Sequence, residues 1–143
     1  MKKVLVVDDH ILFREGLVSL FQNHPKYKIV GEAGTVSKTI ELARLLKPDL
    51  ILMDMGLPDG SGIEAAQIIL AESPECKLVF LTITDDDETL FDALRCGASG
   101  YILKNAAVGE LLKHLDGLDS GEIAISPAMA TRIIKEFART EPQ

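Results

Sequence analysis

The chain has 143 residues, 47% of them hydrophobic, enough to bury a core as one domain with a short appendage. Its formal net charge of −7 excludes a surface that embraces a nucleic-acid backbone by electrostatics. No apolar run is long enough to span a bilayer and no cleavage-site pattern follows Met1-Lys2-Lys3, so the expectation is a soluble, cytoplasmic protein with no membrane contact.

Lys3–Val7 is a β-branched run ending in Asp8-Asp9, and apolar residues at 12, 13, 17, 20 and 21 then recur at helical spacing. Ile29–Ala33 reads as a second strand. Val36–Leu46 reads as a second helix, stopped by Pro48. Leu50–Met53 has no polar alternation and is expected to be buried on both faces; it delivers Asp54 to a turn through Pro58, Gly60 and Gly62. A helix near Ser61 follows, with Ile63, Ala66, Ile69 and Leu70 inward, and Pro74 ends it. Leu78–Leu81 is the fourth strand, closed by Thr82; the fourth helix runs through Glu88–Arg95 to a left-handed cap at Gly97. The acids Asp85–Glu88 before it read as a helix cap. Tyr101–Leu103 with Lys104 is strand five, and Val108–Leu118 helix five. An extra helix over 128–138 reads as a linker element and leads into a polar tail. Cys76 and Cys96 lack metal-ligand spacing and are expected as buried or partly buried thiols.

Five alternations of strand and helix predict an α/β fold, the flavodoxin-like (βα)5 doubly wound parallel sheet with strand order 2-1-3-4-5 and an extra C-terminal helix. That order brings Asp8-Asp9, Asp54, Thr82 and Lys104 to the carboxyl ends of adjacent strands. Three carboxylates in one crevice repel one another and call for a cation. An all-oxygen donor set with room for water suits Mg²⁺ better than zinc, and His10 alone does not make a zinc site. Lys104 and Thr82 complement a dianionic group beside Asp54, which makes Asp54 a candidate phosphoryl acceptor.

The residues Val6-Val7-Asp8-Asp9-His10, Met53-Asp54 through Pro58 to Gly62, Leu81-Thr82 and Gly97 through Tyr101 to Lys104 stand in this order over roughly residues 2–120. In this they resemble the receiver domain of two-component response regulators. Asp8 through Leu17 and Gly100 through Asn105 resemble the NarL/FixJ-like subfamily, whose members carry a LuxR-type helix-turn-helix. The resemblance implies a receiver over 1–120 and a linker extension over 121–143. It implies phosphoryl transfer to Asp54 from a histidine kinase, with Mg²⁺ held by Asp9, Asp54 and the carbonyl of Gly56 while Asp8 assists through water. Thr82 and Tyr101 match the family's coupled switch positions. A phosphorylation-linked homodimer is also implied, as is DNA reading only through a domain beyond Gln143; within 127–143 the charge balance is no DNA footprint.

The protein is therefore expected to be a switch, not a turnover enzyme, catalysing only its own phosphorylation and dephosphorylation. An aspartate-nucleophile phosphohydrolase would place an acid where Gly56 stands, a mononucleotide binder would not place acids after strand one, and a standalone receiver acting by protein contacts is the remaining alternative. Two positions depart from the family's pattern. Asn105 follows Lys104 where proline is common, so no cis bond is expected there. Ile83 is bulkier than the usual small residue and is expected to shield the phosphoryl group.

Overall fold

The apolar runs form strands that are dry on both faces. In the computed structural model, which describes residues 1–83, 86–105 and 108–140, β1 (Lys2–Val7), β2 (Tyr27–Ala33), β3 (Leu50–Asp54), β4 (Lys77–Thr82) and β5 (Gly100–Leu103) make one parallel sheet. The order is β2-β1-β3-β4-β5, as the βα period predicts. Every residue of β3 is buried, so both faces of the central strand must be covered by helices. The core accordingly lies in two layers. One holds Leu5, Ile51, Met53, Phe80 and Tyr101, and the other Val6, Leu52, Val79, Leu81 and Leu115.

The helices are α1 (Ile11–Phe21), α2 (Val36–Leu46), α3 (Gly62–Glu72), α4 (Asp87–Arg95), α5 (Val108–Asp116) and α6 (Pro127–Thr140). Their starts follow from local chemistry. Thr35, Ser61 and Asp86 accept backbone N–H groups at the first turns of α2, α3 and α4. The expected cap before α4 is thus Asp86; Asp85 lies outside the described residues. Gly97 adopts φ +99 after α4, the left-handed conformation that a helix end favours and a side chain would strain.

Two readings need correction. Leu12 and Leu45 fit the helical spacing but face solvent, because the buried stripe of α1 runs through Leu17 and Phe21 and that of α2 through Thr39 and Ala43. Helix five stops at Asp116, and Gly117–Ser120 is a 3₁₀ turn closed by left-handed Gly121. Ala124, in a stretch given no element from the sequence, joins the sheet edge. It forms a parallel bridge to Gly100, with its N–H on the Ser99 carbonyl at 2.9 Å and its carbonyl accepting from the Tyr101 N–H at 2.9 Å. The bridge seats α6 on the domain: Met129 is 3% exposed within the same apolar cluster as Tyr101, and Arg132 pairs with Asp87 of α4. Among the described residues no helix is long and apolar enough to cross a membrane, and no peptide bond is cis. The tail at 141–143 lies outside the described residues.

Candidate functional site

Strand ends place the site. β1 stops at Val7, and Asp8 is held there by its N–H to the Ala33 carbonyl at 2.9 Å and by Arg14 Nη1 on its own carbonyl at 2.6 Å. Asp54 closes β3. The following loop is fixed by a miniature antiparallel pairing of Gly56-Leu57 with Gly60-Ser61, and the Gly62 N–H donates to the Met55 carbonyl at 2.8 Å. A side chain at Gly62 would come within 2.7 Å of the Asp54 carbonyl, so this position admits only glycine without a shift. The loop is also tied sideways. Asp59 accepts the Val36 and Ser37 N–H groups at 2.6 and 3.0 Å, which hold its carboxyl below the usual range and fasten the loop to the start of α2.

The four acid and base positions expected from the sequence converge. Lys104 Nζ lies 2.7 Å from Asp8 Oδ2 and 3.4 Å from Asp54 Oδ2, with its side chain 10% exposed. Its own N–H reaches the Thr82 carbonyl at 2.8 Å, so register alone sets it beside buried Thr82. Phe13 of α1 stacks under the ammonium, 4.7 Å from ring centroid to Nζ. Burial and the neighbouring Asp8 charge raise the pKa of Asp54, while Lys104 and the Gly56 N–H pull it back down. Tyr101, the other expected switch position, is fully buried. Ile83 is 86% exposed and covers little of the site in this state. Cys76 lies elsewhere; burial pushes its thiol up to about 12, and half-buried Cys96 is raised in the same way.

The cluster fits a divalent cation. Asp8, Asp9, His10 and Asp54 each bring a donor atom within 4.8 Å of the others, and three carboxylates outnumber the one lysine. Asp8 Oδ2 is buried with no aligned hydrogen bond among the described residues; its contact with Lys104 is charge to charge. Hard oxygen donors of this kind suit Mg²⁺.

The family model described as the response regulator receiver domain matches residues 4–116. This chain belongs to that family. Curated relatives of the receiver include the transcriptional regulatory protein YdfI of Bacillus subtilis, 35% identical over 100% of this chain and 67% of its own length. The DNA-binding transcriptional activator DevR/DosR of Mycobacterium tuberculosis is 35% identical over 96% of this chain and 63% of its own. Among solved structures, a LuxR-family two-component response regulator from Aurantimonas sp. SI85-9A1 superposes with a TM-score of 0.88 at 31% identity, covering 96% of this chain and 99% of that one. The chain thus spans about two thirds of the length of these curated relatives. Three contributors to its site were not read from the sequence: Phe13 under Lys104, Arg14 on Asp8, and Asp59 across the loop. Asp59 alone left a signal, an acid in a Pro-Asp-Gly turn.

Proposed function

We propose that this chain is the phosphoacceptor part of a transcriptional response regulator, with Asp54 taking a phosphoryl group from a phosphohistidine of a partner kinase. The observation that carries the reading is the meeting of Asp8, Asp54 and Lys104, from the ends of three separate strands, within ion-pair distance. An Asp54 carboxylate oxygen forms the new bond to phosphorus as the phosphorus–nitrogen bond of the donor breaks. For that the carboxyl must be ionised, against its burial and against Asp8; Lys104 opposes both and is placed to take a phosphoryl oxygen afterwards. Asp9, Asp54 and the Gly56 carbonyl would hold Mg²⁺, with Asp8 acting through water. The ion would supply the charge neutralisation that phosphoryl transfer needs. Thr82 would then engage the phosphoryl group and report to Tyr101.

The receiver is assigned to 1–120 and the extension to 121–143. Relatives that are longer, one of them a DNA-binding transcriptional activator, support DNA reading through a separate domain; phosphorylation-linked pairing of two copies in the cytoplasm completes the reading. Incubation with acetyl phosphate and Mg²⁺ tests the assignment by intact mass. The expected result is one added phosphoryl group, lost in Asp54→Asn and in chelator. Modification that persists in the variant, or sustained turnover of unrelated phosphomonoesters, overturns it.

A further inference from the structure

His10 is left without work by an all-oxygen metal site. It is the N-cap residue of α1, yet its side chain makes no capping hydrogen bond. Its backbone N–H donates to Asp8 Oδ1 at 2.8 Å, which fixes the main chain and leaves the ring to be aimed separately. That ring points into the carboxylates. Nδ1 stands 3.0 Å from Asp8 Oδ1, 3.4 Å from Asp9 Oδ1 and 4.0 Å from Asp54 Oδ2.

These separations are those of ligands sharing one ion. With bonds of about 2.1 Å, two ligands lie about 3.0 Å apart when adjacent in an octahedron, about 3.4 Å in a tetrahedron and about 4.2 Å when opposite. The 3.0 Å contact with Asp8 suits an Nδ1–H donor; in the tautomer protonated at Nε2 the Nδ1 lone pair faces the cluster instead. Carboxylates and water favour Mg²⁺, whereas imidazole favours Zn²⁺ and Ni²⁺. A ring as free as this one can turn aside for a hard, hydrated ion and turn in for a borderline one.

We propose that His10 Nδ1 is a nitrogen ligand of the receiver's cation site and that it sets the choice among divalent ions, moving preference toward Zn²⁺ relative to a site of oxygens alone. This rests on the metal-site reading above. The ligand set for the borderline ion is then Asp8, Asp9, His10 and Asp54, with Lys104 displaced from Asp8 by the incoming charge.

Calorimetric titration of the full chain with MgCl₂ and, separately, ZnCl₂ tests the proposal in wild type, His10→Asn and Asp54→Asn. Asparagine keeps a polar side chain without an imidazole nitrogen, and the ratio of Zn²⁺ to Mg²⁺ affinity cancels any shared structural effect. The ratio is expected to fall about tenfold in His10→Asn. In wild type, one equivalent of Zn²⁺ should shift the Nδ1 ¹⁵N resonance of His10 while those of His24 and His114 stay in place. An unchanged ratio with Mg²⁺ still bound overturns the role of His10 alone, as does an unmoved His10 resonance. Absence of Mg²⁺ binding in wild type, or binding unaffected by Asp54→Asn, overturns the metal site and this inference with it.

Discussion

Replacing Lys104 with methionine keeps the length of the side chain and removes the one positive charge between Asp8 and Asp54. At an effective dielectric of about 20, charges 2.7 and 3.4 Å apart attract by about 6 and about 5 kcal/mol before desolvation is subtracted. Most of that gross energy is offset by the cost of burying the ions, and breaking such a cluster from one side costs about 3–5 kcal/mol. The lower end applies, because Asp54 is already disposed to accept a proton and can shed its charge. For 143 residues the unfolding entropy near the midpoint is about 0.3 kcal/mol/K, so a loss of about 3 kcal/mol lowers Tm by about 10 °C. Urea titration in chelator measures the loss, and repetition in saturating Mg²⁺ should recover a larger share in Lys104→Met than in wild type. Adding Asp54→Asn to Lys104→Met should restore part of that stability, since one of the two uncompensated acids is gone while buried Asp8 remains. A loss below about 1 kcal/mol, or one indifferent to Asp54→Asn, would refute the reasoning that Lys104 neutralises this pair.

The extension offers a second perturbation. Met129→Ala removes a side chain 3% exposed and is expected to cost about 2–3 kcal/mol by urea titration; a cost under 1 kcal/mol would mean that α6 is not seated on the domain. At Ile83, alanine is expected to speed loss of the phosphoryl group about twofold, read by intact mass after removal of acetyl phosphate, and an unchanged or longer lifetime refutes the shielding role. The acid limb of stability is a matter of sign. Asp59 accepts the Val36 and Ser37 N–H groups, and Asp86 accepts from the Thr89 side chain and N–H, all at helix starts, so both carboxyls are held below the usual value. The unfolded chain binds protons there first, and stability present above about pH 4 is lost as pH falls through the lower folded values. Asp59→Asn with Asp86→Asn should therefore flatten the stability profile below about pH 4, and an equally steep profile would count against these two caps.

Much of this arrangement is legible in the residue pattern because each signal is local. A run such as Leu50–Met53 cannot be exposed on either face, and its terminal acid must then lie at a strand end. Strand order follows from the βα period, and with it the meeting of Asp8, Asp54, Thr82 and Lys104. What the pattern hides depends on contacts distant in sequence. Leu12 and Leu17 are both apolar but lie about 140° apart around α1, and the sheet's position decides that the face with Leu17 is covered and the face with Leu12 is not. Although Ile123 and Ile125 flank Ala124, the bridge to Gly100 is one pair of hydrogen bonds and too short to read as a strand; its condition is the missing side chain at Gly100, where a Cβ would lie 2.6 Å from Ala124. Asp59 likewise reads as turn residue, and its grip on α2 is visible only once the two loops are side by side.

β5 joins these two kinds of feature. It is an edge of the sheet, paired along its length with β4 alone and on its other side by the single bridge to Ala124. Lys104 directly follows its last residue and faces the carboxylates, while Tyr101, near its start, is buried and donates its N–H to the Ala124 carbonyl. An edge strand held by fewer hydrogen bonds yields before a central one does, so a change of charge beside Lys104 meets least resistance along β5. Any shift of β5 acts on the bridge that seats the extension. The strand that borders the site is therefore the strand to which the α6 extension is bridged, and Met129→Ala should loosen the Tyr101 amide to hydrogen exchange before it affects amides of β3.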